Sequence, residues 1–331
     1  MEKNKEKIGF KNHTIIVISV ISLIFITILI SLGIYVKNLR KQVEKLDEKT
    51  AGMIVTMLGG SNEKDKGNIN SCGYIVRTKN DELIIVDGGR DIDSSLVLEY
   101  IRRFGSGTVN HWFITHAHTD HVGALIKLLE EENIVIENIY YSFNSLEWYK
   151  KYDIRGYETE EKMFKELNNS KIKNKIECEK NQIIKIDNIE CEILRIPNPE
   201  IIHSDNGNDS SMVFKFVATD VNKSILFLGD AYLYTSVELL KSPEKLKADA
   251  VQMSHHGQNG VTKEVYDAIR PALCFYNAPE FLYNNDNGTG FNTGNYQSVI
   301  VREWMKALYA KNIVAFNGDR TVRFTTKGIE Y

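Results

Sequence analysis

Residues 115–121 read Thr-His-Ala-His-Thr-Asp-His. Three imidazoles and a carboxylate in so short a span are donors for zinc and related divalent ions. A strand-like run at 109–115 leads into them. A helix-like apolar pattern over 122–132 follows, carried by Leu125, Leu128 and Leu129. A tight strand-to-helix loop would turn His116, His118, Asp120 and His121 into one cavity. A surface loop with incidental His and Asp is the plain alternative, and the alternating and adjacent spacing argues against it.

Four other stretches could contribute to the same chemistry. Asp87-Gly88-Gly89 ends a strand-like run at 83–86, where Asp-Gly by itself signals only a turn. Asn208-Asp209-Ser210-Ser211 precedes a strand at 213–217. Gly229-Asp230 ends the apolar run 225–228, and a carboxylate there has two oxygens to share between two ions. His255-His256-Gly257 follows a strand at 250–254. His203 lies upstream of Asn208 in a context that matches no ligand pattern.

The H-x-H-x-D-H run resembles the signature of the metallo-β-lactamase superfamily, and the other four stretches fit that family in the same order. The resemblance covers residue 52 to the C-terminus. It is most similar to the ComEC-type domain of competence proteins and to secreted phosphorylcholine esterases, because Asn208/Ser211 stands where many members carry a histidine and because of the His-His-Gly turn. The resemblance implies an α/β (α+β) four-layer αβ/βα sandwich. It also implies that Asp87 orients the metal loop and that two divalent ions, zinc or manganese, are bound. One ion would fall to His116, His118 and Asp230; the other to Asp120, His121, Asp230 and His255. It leaves Asp120 and His256 as catalytic groups, and Asn208, Ser211 and Gly257 as substrate-binding ones. The assignment within the histidine pair is not fixed by sequence.

The elements that position these residues alternate between strand and helix, as α/β layers require. Strands are expected at 53–58, 72–77, 138–143, 272–277, 313–317 and 321–325, with a hairpin at 183–186 and 190–196. Helices are expected at 92–104, 261–269 and 296–310. The charged, aromatic-bearing stretch 144–179 reads as a mostly helical insert, a lid in this family. The Asn- and Gly-rich loop 281–295 could border the cavity.

The 331 residues carry a formal net charge of −3 and are 43% hydrophobic, enough for a substantial core and no general case for nucleic-acid binding. The four cysteines are too widely spaced for a disulfide framework or zinc ribbon. Residues 14–36 are apolar and uncharged, with no small-residue cleavage site, and read as a transmembrane anchor. The expected organisation is a cytoplasmic tail at 1–13, the anchor at 14–36, a stalk at 37–51 and a hydrolase domain at 52–331. The expected location is the cell membrane, single-pass, with the catalytic domain extracellular.

The expected function is hydrolysis of phosphoester or phosphodiester bonds by a metal-bridging hydroxide. Its substrate would be a phosphate-containing nucleic acid or cell-envelope polymer. The rivals are a lactonase or β-lactamase-like hydrolase on the same fold and a non-catalytic metal-binding surface protein.

Overall fold

The computed structural model describes residues 25–39, 52–202 and 205–331. The chain divides into two units, Met1–Thr50 and Ala51–Tyr331. In the first, residues 25–39 form helix α1, on which Phe25, Leu29, Leu32 and Tyr35 are exposed. Among the described residues no helix is long and apolar enough to cross a membrane. The expected anchor begins at residue 14, so its first part (14–24) lies outside the described residues. So do the tail and most of the stalk.

The second unit is built on two sheets. Its strands in chain order are β1 (Met53–Met57), β2 (Gly73–Arg77), β3 (Leu83–Asp87), β4 (Thr108–Phe113), β5 (Val135–Tyr141), β6 (Ile172–Glu177), β7 (Ile183–Ile186), β8 (Ile189–Arg195), β9 (Val213–Ala218), β10 (Lys223–Phe227), β11 (Ala250–Gln252), β12 (Leu273–Tyr276), β13 (Lys311–Val314), β14 (Arg320–Thr325) and β15 (Gly328–Glu330). The first sheet runs β15-β14-β1-β2-β3-β4-β5-β6 and the second β13-β12-β11-β10-β9-β8-β7. Each has a parallel half, β3 to β6 and β10 to β13, where helices return the chain, and an antiparallel half.

The helices of this unit are α2 (Ser94–Gly105), α3 (Thr119–Glu131), α4 (Leu146–Tyr152), α5 (Tyr157–Glu166), α6 (Asn206–Asp209), α7 (Leu233–Leu239), α8 (Lys263–Ile269), α9 (Glu280–Tyr283) and α10 (Ser298–Ala307).

Period-two alternation sorts each central strand between two cores. In β3, Ile84 and Val86 point between the sheets, while Leu83 and Ile85 meet Val97, Ile101, Leu125 and Leu128 of α2 and α3. In β10, Ile225 and Phe227 face the first sheet, and Leu226 faces Val265, Ile269 and Met305 of α8 and α10. The result is four layers, helices–sheet–sheet–helices, as the resemblance implied. All four cysteines are buried and unpaired.

The seam between the sheets is aromatic directly under the chemistry-bearing loops. Phe113, which ends β4, lies 5.2 Å from Phe214, and Phe214 lies 5.2 Å from Phe227, which ends β10. Each ring is fully buried, and a buried aromatic contributes about 1.5–3 kcal/mol through apolar burial alone. Three strands that deliver His116, Ser211 and Asp230 are thereby packed onto one another.

Two expectations of local structure are corrected. The insert at 144–179 is helical only in α4 and α5; Ile172–Glu177 is instead the edge strand β6, parallel to β5. Its Lys173, Asn174 and Lys175 are exposed, which hid the strand from an apolar-pattern reading and also guards a free sheet edge. Helix α3 starts at Thr119, so Asp120 and His121 belong to its first turn.

Candidate metal centre

Asp87 ends β3 in the left-handed region (φ 59°) and is fully buried. Its Oδ1 accepts from the Thr115 amide at 2.8 Å, and its Oδ2 lies 2.8 Å from His121 Nδ1. One carboxylate thus holds both ends of the loop 115–121. The Thr115 carbonyl accepts from the Met212 amide (2.7 Å) and the Asp120 carbonyl from the Cys72 amide (2.8 Å), which fixes the loop to both sheets.

From the other sheet, β10 ends in Gly229-Asp230. Gln252 on β11 binds that turn through its side chain, accepting from the Leu228 and Gly229 amides and donating to the Gly229 carbonyl. Ser211 Oγ accepts from the Asp230 amide at 3.0 Å and donates to the Asn208 carbonyl at 2.8 Å. Ser254–Gly257 then makes a short turn with His255 at φ 48° and His256 at φ 58°. Non-glycine residues so placed cost about 1–3 kcal/mol each and persist only where their surroundings hold them.

These elements bring Asp120, His121, Asp230 and His256 together, with one ligand atom of each within 4.8 Å of the others. Asp230 Oδ1 is 3.1 Å from His121 Nε2, and Asp230 Oδ2 is 3.3 Å from His256 Nε2. Asp120 Oδ2 is 3.1 Å from His256 Nε2. His116 and His121 rings lie 4.1 Å apart, and His116 and His118 rings 4.6 Å apart.

The electrostatics suit cations. Burial, then the neighbouring His121 and His118 rings, hold His116 neutral, its pKa well below the usual range. Burial opposes protonation of His121 too, but Asp230 and Asp87 outweigh it and raise its pKa well above normal. The same contest lifts His256 to about 9. Within the cluster, His116 Nε2, His121 Nε2 and Asp230 Oδ1 are buried without a hydrogen-bond partner; the last two are close but misaligned for a bond. Orphaned, inward-facing donor atoms of these types fit divalent ions, whose binding displaces the protons the carboxylates otherwise draw in.

A model of the metallo-beta-lactamase superfamily matches residues 66–272, more than half of the chain and all of the loops just described. The chain belongs to the metallo-β-lactamase superfamily. Its architecture is similar to that of unliganded yeast PDE1 (11% identity, TM-score 0.50, 82% of this chain and 99% of that one). It is also similar to the metallo-beta-lactamase fold protein YhfI from Bacillus subtilis (12% identity, TM-score 0.49, 81% and 99% covered). A third relative in structure is a diphosphatase from the PhnP family (12% identity, TM-score 0.42, 72% and 93% covered). At these identities the likeness concerns the fold. No curated protein matches the chain by sequence.

Against the superfamily pattern, the histidine pair is placed differently from the sequence expectation. The ring that reaches both Asp120 and Asp230 is that of His256, wholly buried, whose Nδ1 lies 2.8 Å from the Asn277 carbonyl. His255 Nε2 is 3.9 Å from Asp230 and 3.3 Å from Asn208 Nδ2, and its side chain keeps 17% exposure. Ser211 and Gly257, expected at the substrate, are buried. The Ser211 hydroxyl is used up in the Asp230 turn, and a Cβ on Gly257 (φ 80°) would lie 2.3 Å from the Tyr276 ring, so both shape the turns. His203 lies outside the described residues.

A cavity of about 670 Å³ opens over the cluster, with His118, Asp120, Asp230, Asn208 and His255 in its wall. Arg90, which sequence reasoning passed over, also lines it. Its Nε and one terminal nitrogen donate to the carbonyl and side-chain oxygens of Asn70 (2.7 and 3.0 Å), and its guanidinium stands 4.0 Å from Asp120. The available signal was position, since Arg90 directly follows Asp87-Gly88-Gly89. Asp153 and Gln252 left no comparable signal.

Proposed function

We propose that this superfamily member is a dinuclear metal-dependent hydrolase of phosphodiester-type bonds. One observation carries the reading: Asp230 Oδ2 lies 3.3 Å from His256 Nε2, whereas its Oδ1 is buried without a hydrogen-bond partner, as is His116 Nε2, whose ring is 4.1 Å from that of His121. A carboxylate so placed has one oxygen for each of two ions. His116, His118 and Asp230 would hold one, and Asp120, His121, Asp230 and His256 the other. Zinc suits these ligand types, and manganese suits a more open, oxygen-rich site. Bound there, the ions supply an acidified water for attack and positive charge for the leaving oxygen.

The chain's own residues do the remaining work. Asp87, Thr115 and Gln252 hold the loops in place without touching a substrate. His255, in the cavity wall, holds Nδ1 against the Asn259 carbonyl and has Nε2 facing the Asn208 amide nitrogen, so Nε2 is the ring's acceptor atom, suited to proton transfer with a bound substrate or water. Asn208 keeps that ring turned inward. Arg90 offers a fixed guanidinium, and planar N–H donors suit phosphate oxygens.

A panel of bis-(p-nitrophenyl) phosphate, a phosphomonoester and a lactone on metal-loaded full chain tests this. Phosphodiester cleavage is expected, and Arg90→Ala should lower kcat/KM for it by about 10–100-fold, the worth of a charge-assisted hydrogen bond. Lactone opening without phosphodiester cleavage would refute the assignment.

The apolar, uncharged run 14–36 and the exposed apolar side chains of α1 support anchoring by a single N-terminal span; the same proposal puts the hydrolase unit outside the cell, acting on a phosphate-bearing polymer. Expressed full chain should sediment with membranes and resist alkaline carbonate extraction. Its recovery in the soluble fraction would rule the anchor out.

A further inference from the structure

A second buried set of titratable groups adjoins the cluster: His118, Asp153 and Glu160, with one ligand atom of each within 4.8 Å of the others. His118 Nε2 and Asp153 Oδ2 are 2.7 Å apart. Asp153 follows α4 and Glu160 lies in α5, so both belong to the insert. The other candidate ligand rings each engage an outer oxygen through Nδ1: His121 with Asp87, His256 with the Asn277 carbonyl, His116 with Thr115 Oγ1 at 3.2 Å. His118 reverses this. Its Nε2 is taken, which leaves Nδ1 for an ion.

Two glycines leave room for the pair. A Cβ on Gly207 would lie 1.8 Å from Asp153 Oδ2 and 2.3 Å from His118 Nε2; on Gly156 the distances would be 2.5 and 2.7 Å. A side chain on either segment would therefore displace the pair. Asn206 Nδ2 donates to the Tyr152 carbonyl at 2.8 Å, which ties α6 to the end of α4 over the same spot.

We propose that Asp153 is a positioning residue for the metal centre. It fixes the His118 ring with Nε2 protonated and Nδ1 presented, and Glu160 holds Asp153 from behind. A metal-ligating imidazole whose second N–H meets a carboxylate is locked in tautomer and orientation and becomes a stronger donor. The insert is thereby joined to the metal loop through one hydrogen bond, and its register sets the geometry of one ligand. The inference rests on the reading of His118 as a ligand.

Chelator-competition titration with zinc on the full chain tests it, alongside ¹⁵N NMR of the His118 ring in the metal-loaded protein. Wild type should bind two ions and show His118 protonated at Nε2. Asp153→Asn, which keeps the shape and loses the charge, should weaken one ion by about 10–100-fold and leave the other unchanged. Asp153→Ala should weaken the same ion at least as much. Two ions bound by folded Asp153→Asn within twofold of wild type would overturn the proposal, as would a His118 ring protonated at Nδ1. A wild-type chain that binds fewer than two ions would instead remove the dinuclear reading beneath it, and the two failures are told apart by the wild-type titration.

Discussion

Asp230→Asn is expected to abolish phosphodiester turnover, with a fall of more than about 10³-fold, or about 4 kcal/mol of transition-state stabilisation. Asparagine keeps the shape of the side chain but loses the charge and one of two oxygen donors. In the protein the Asp230 carboxylate lies between two imidazoles, and its pKa stands well below the usual range because His121 and His256 outweigh the effect of burial. Asp230 is the one side chain assigned to both proposed ions, whereas Asp120, which meets His256 at hydrogen-bond distance, is assigned to one. Loss of one donor should therefore affect both ions together, and the metal content of the variant should fall for both. The control is the fold, read by circular dichroism. A folded Asp230→Asn chain with wild-type turnover would show that the carboxylate bridges nothing that matters.

The second large effect separates the neighbouring histidines. His256→Ala should remove a ligand, so that one ion is lost and turnover falls by more than about 10³-fold. His255→Ala should keep both ions and lower kcat by about 10²–10⁴-fold, the usual contribution of a positioned proton-transfer group. The geometry sets the direction of this prediction. His256 is fully buried between Asp120, Asp230 and the Asn277 carbonyl, and His255 stands in the cavity wall. Metal analysis and steady-state kinetics on the two variants check it. Retained metal in His256→Ala with lost metal in His255→Ala would restore the reverse assignment made from sequence.

That reversal marks where the sequence stops being legible. A strand fixes side-chain direction by alternation, and the motif residues that follow β3, β4 and β10 could be placed because their loops are short and tied to strand ends. The His-His-Gly turn breaks the rule. β11 ends at Gln252, and both histidines then adopt left-handed backbone angles that no strand or helix pattern extrapolates. Ser211 was ambiguous for a related reason: a hydroxyl next to a turn reads equally as a substrate donor or as a clip on Asp230, and its contacts are those of the clip. The four-layer fold came from the family resemblance, with which the strand–helix order agreed; the continuous apolar runs of β3 and β10 fit the core found on each side of their sheets. The edge strand β6 was not legible, since exposed Lys173 and Lys175 carry no such pattern. Asp153 reaches His118 only through the tertiary placement of the insert, 35 residues along the chain, which local periodicity does not encode.

The insert also carries a buried carboxyl that the cluster does not use directly. Burial and then the Asp153 charge push Glu160 up to about 10, so at neutral pH the proton resides on Glu160 and the charge on Asp153. The negative end of the pair thus faces His118, consistent with a ring held protonated at Nε2.

The most direct measurement is elemental analysis of the purified full chain after loading with zinc and removal of unbound ion. Two ions per chain in wild type, both lost in Asp230→Asn, is the predicted result. A wild-type chain that holds a single ion, or none, would contradict the sharing of Asp230 between two cations.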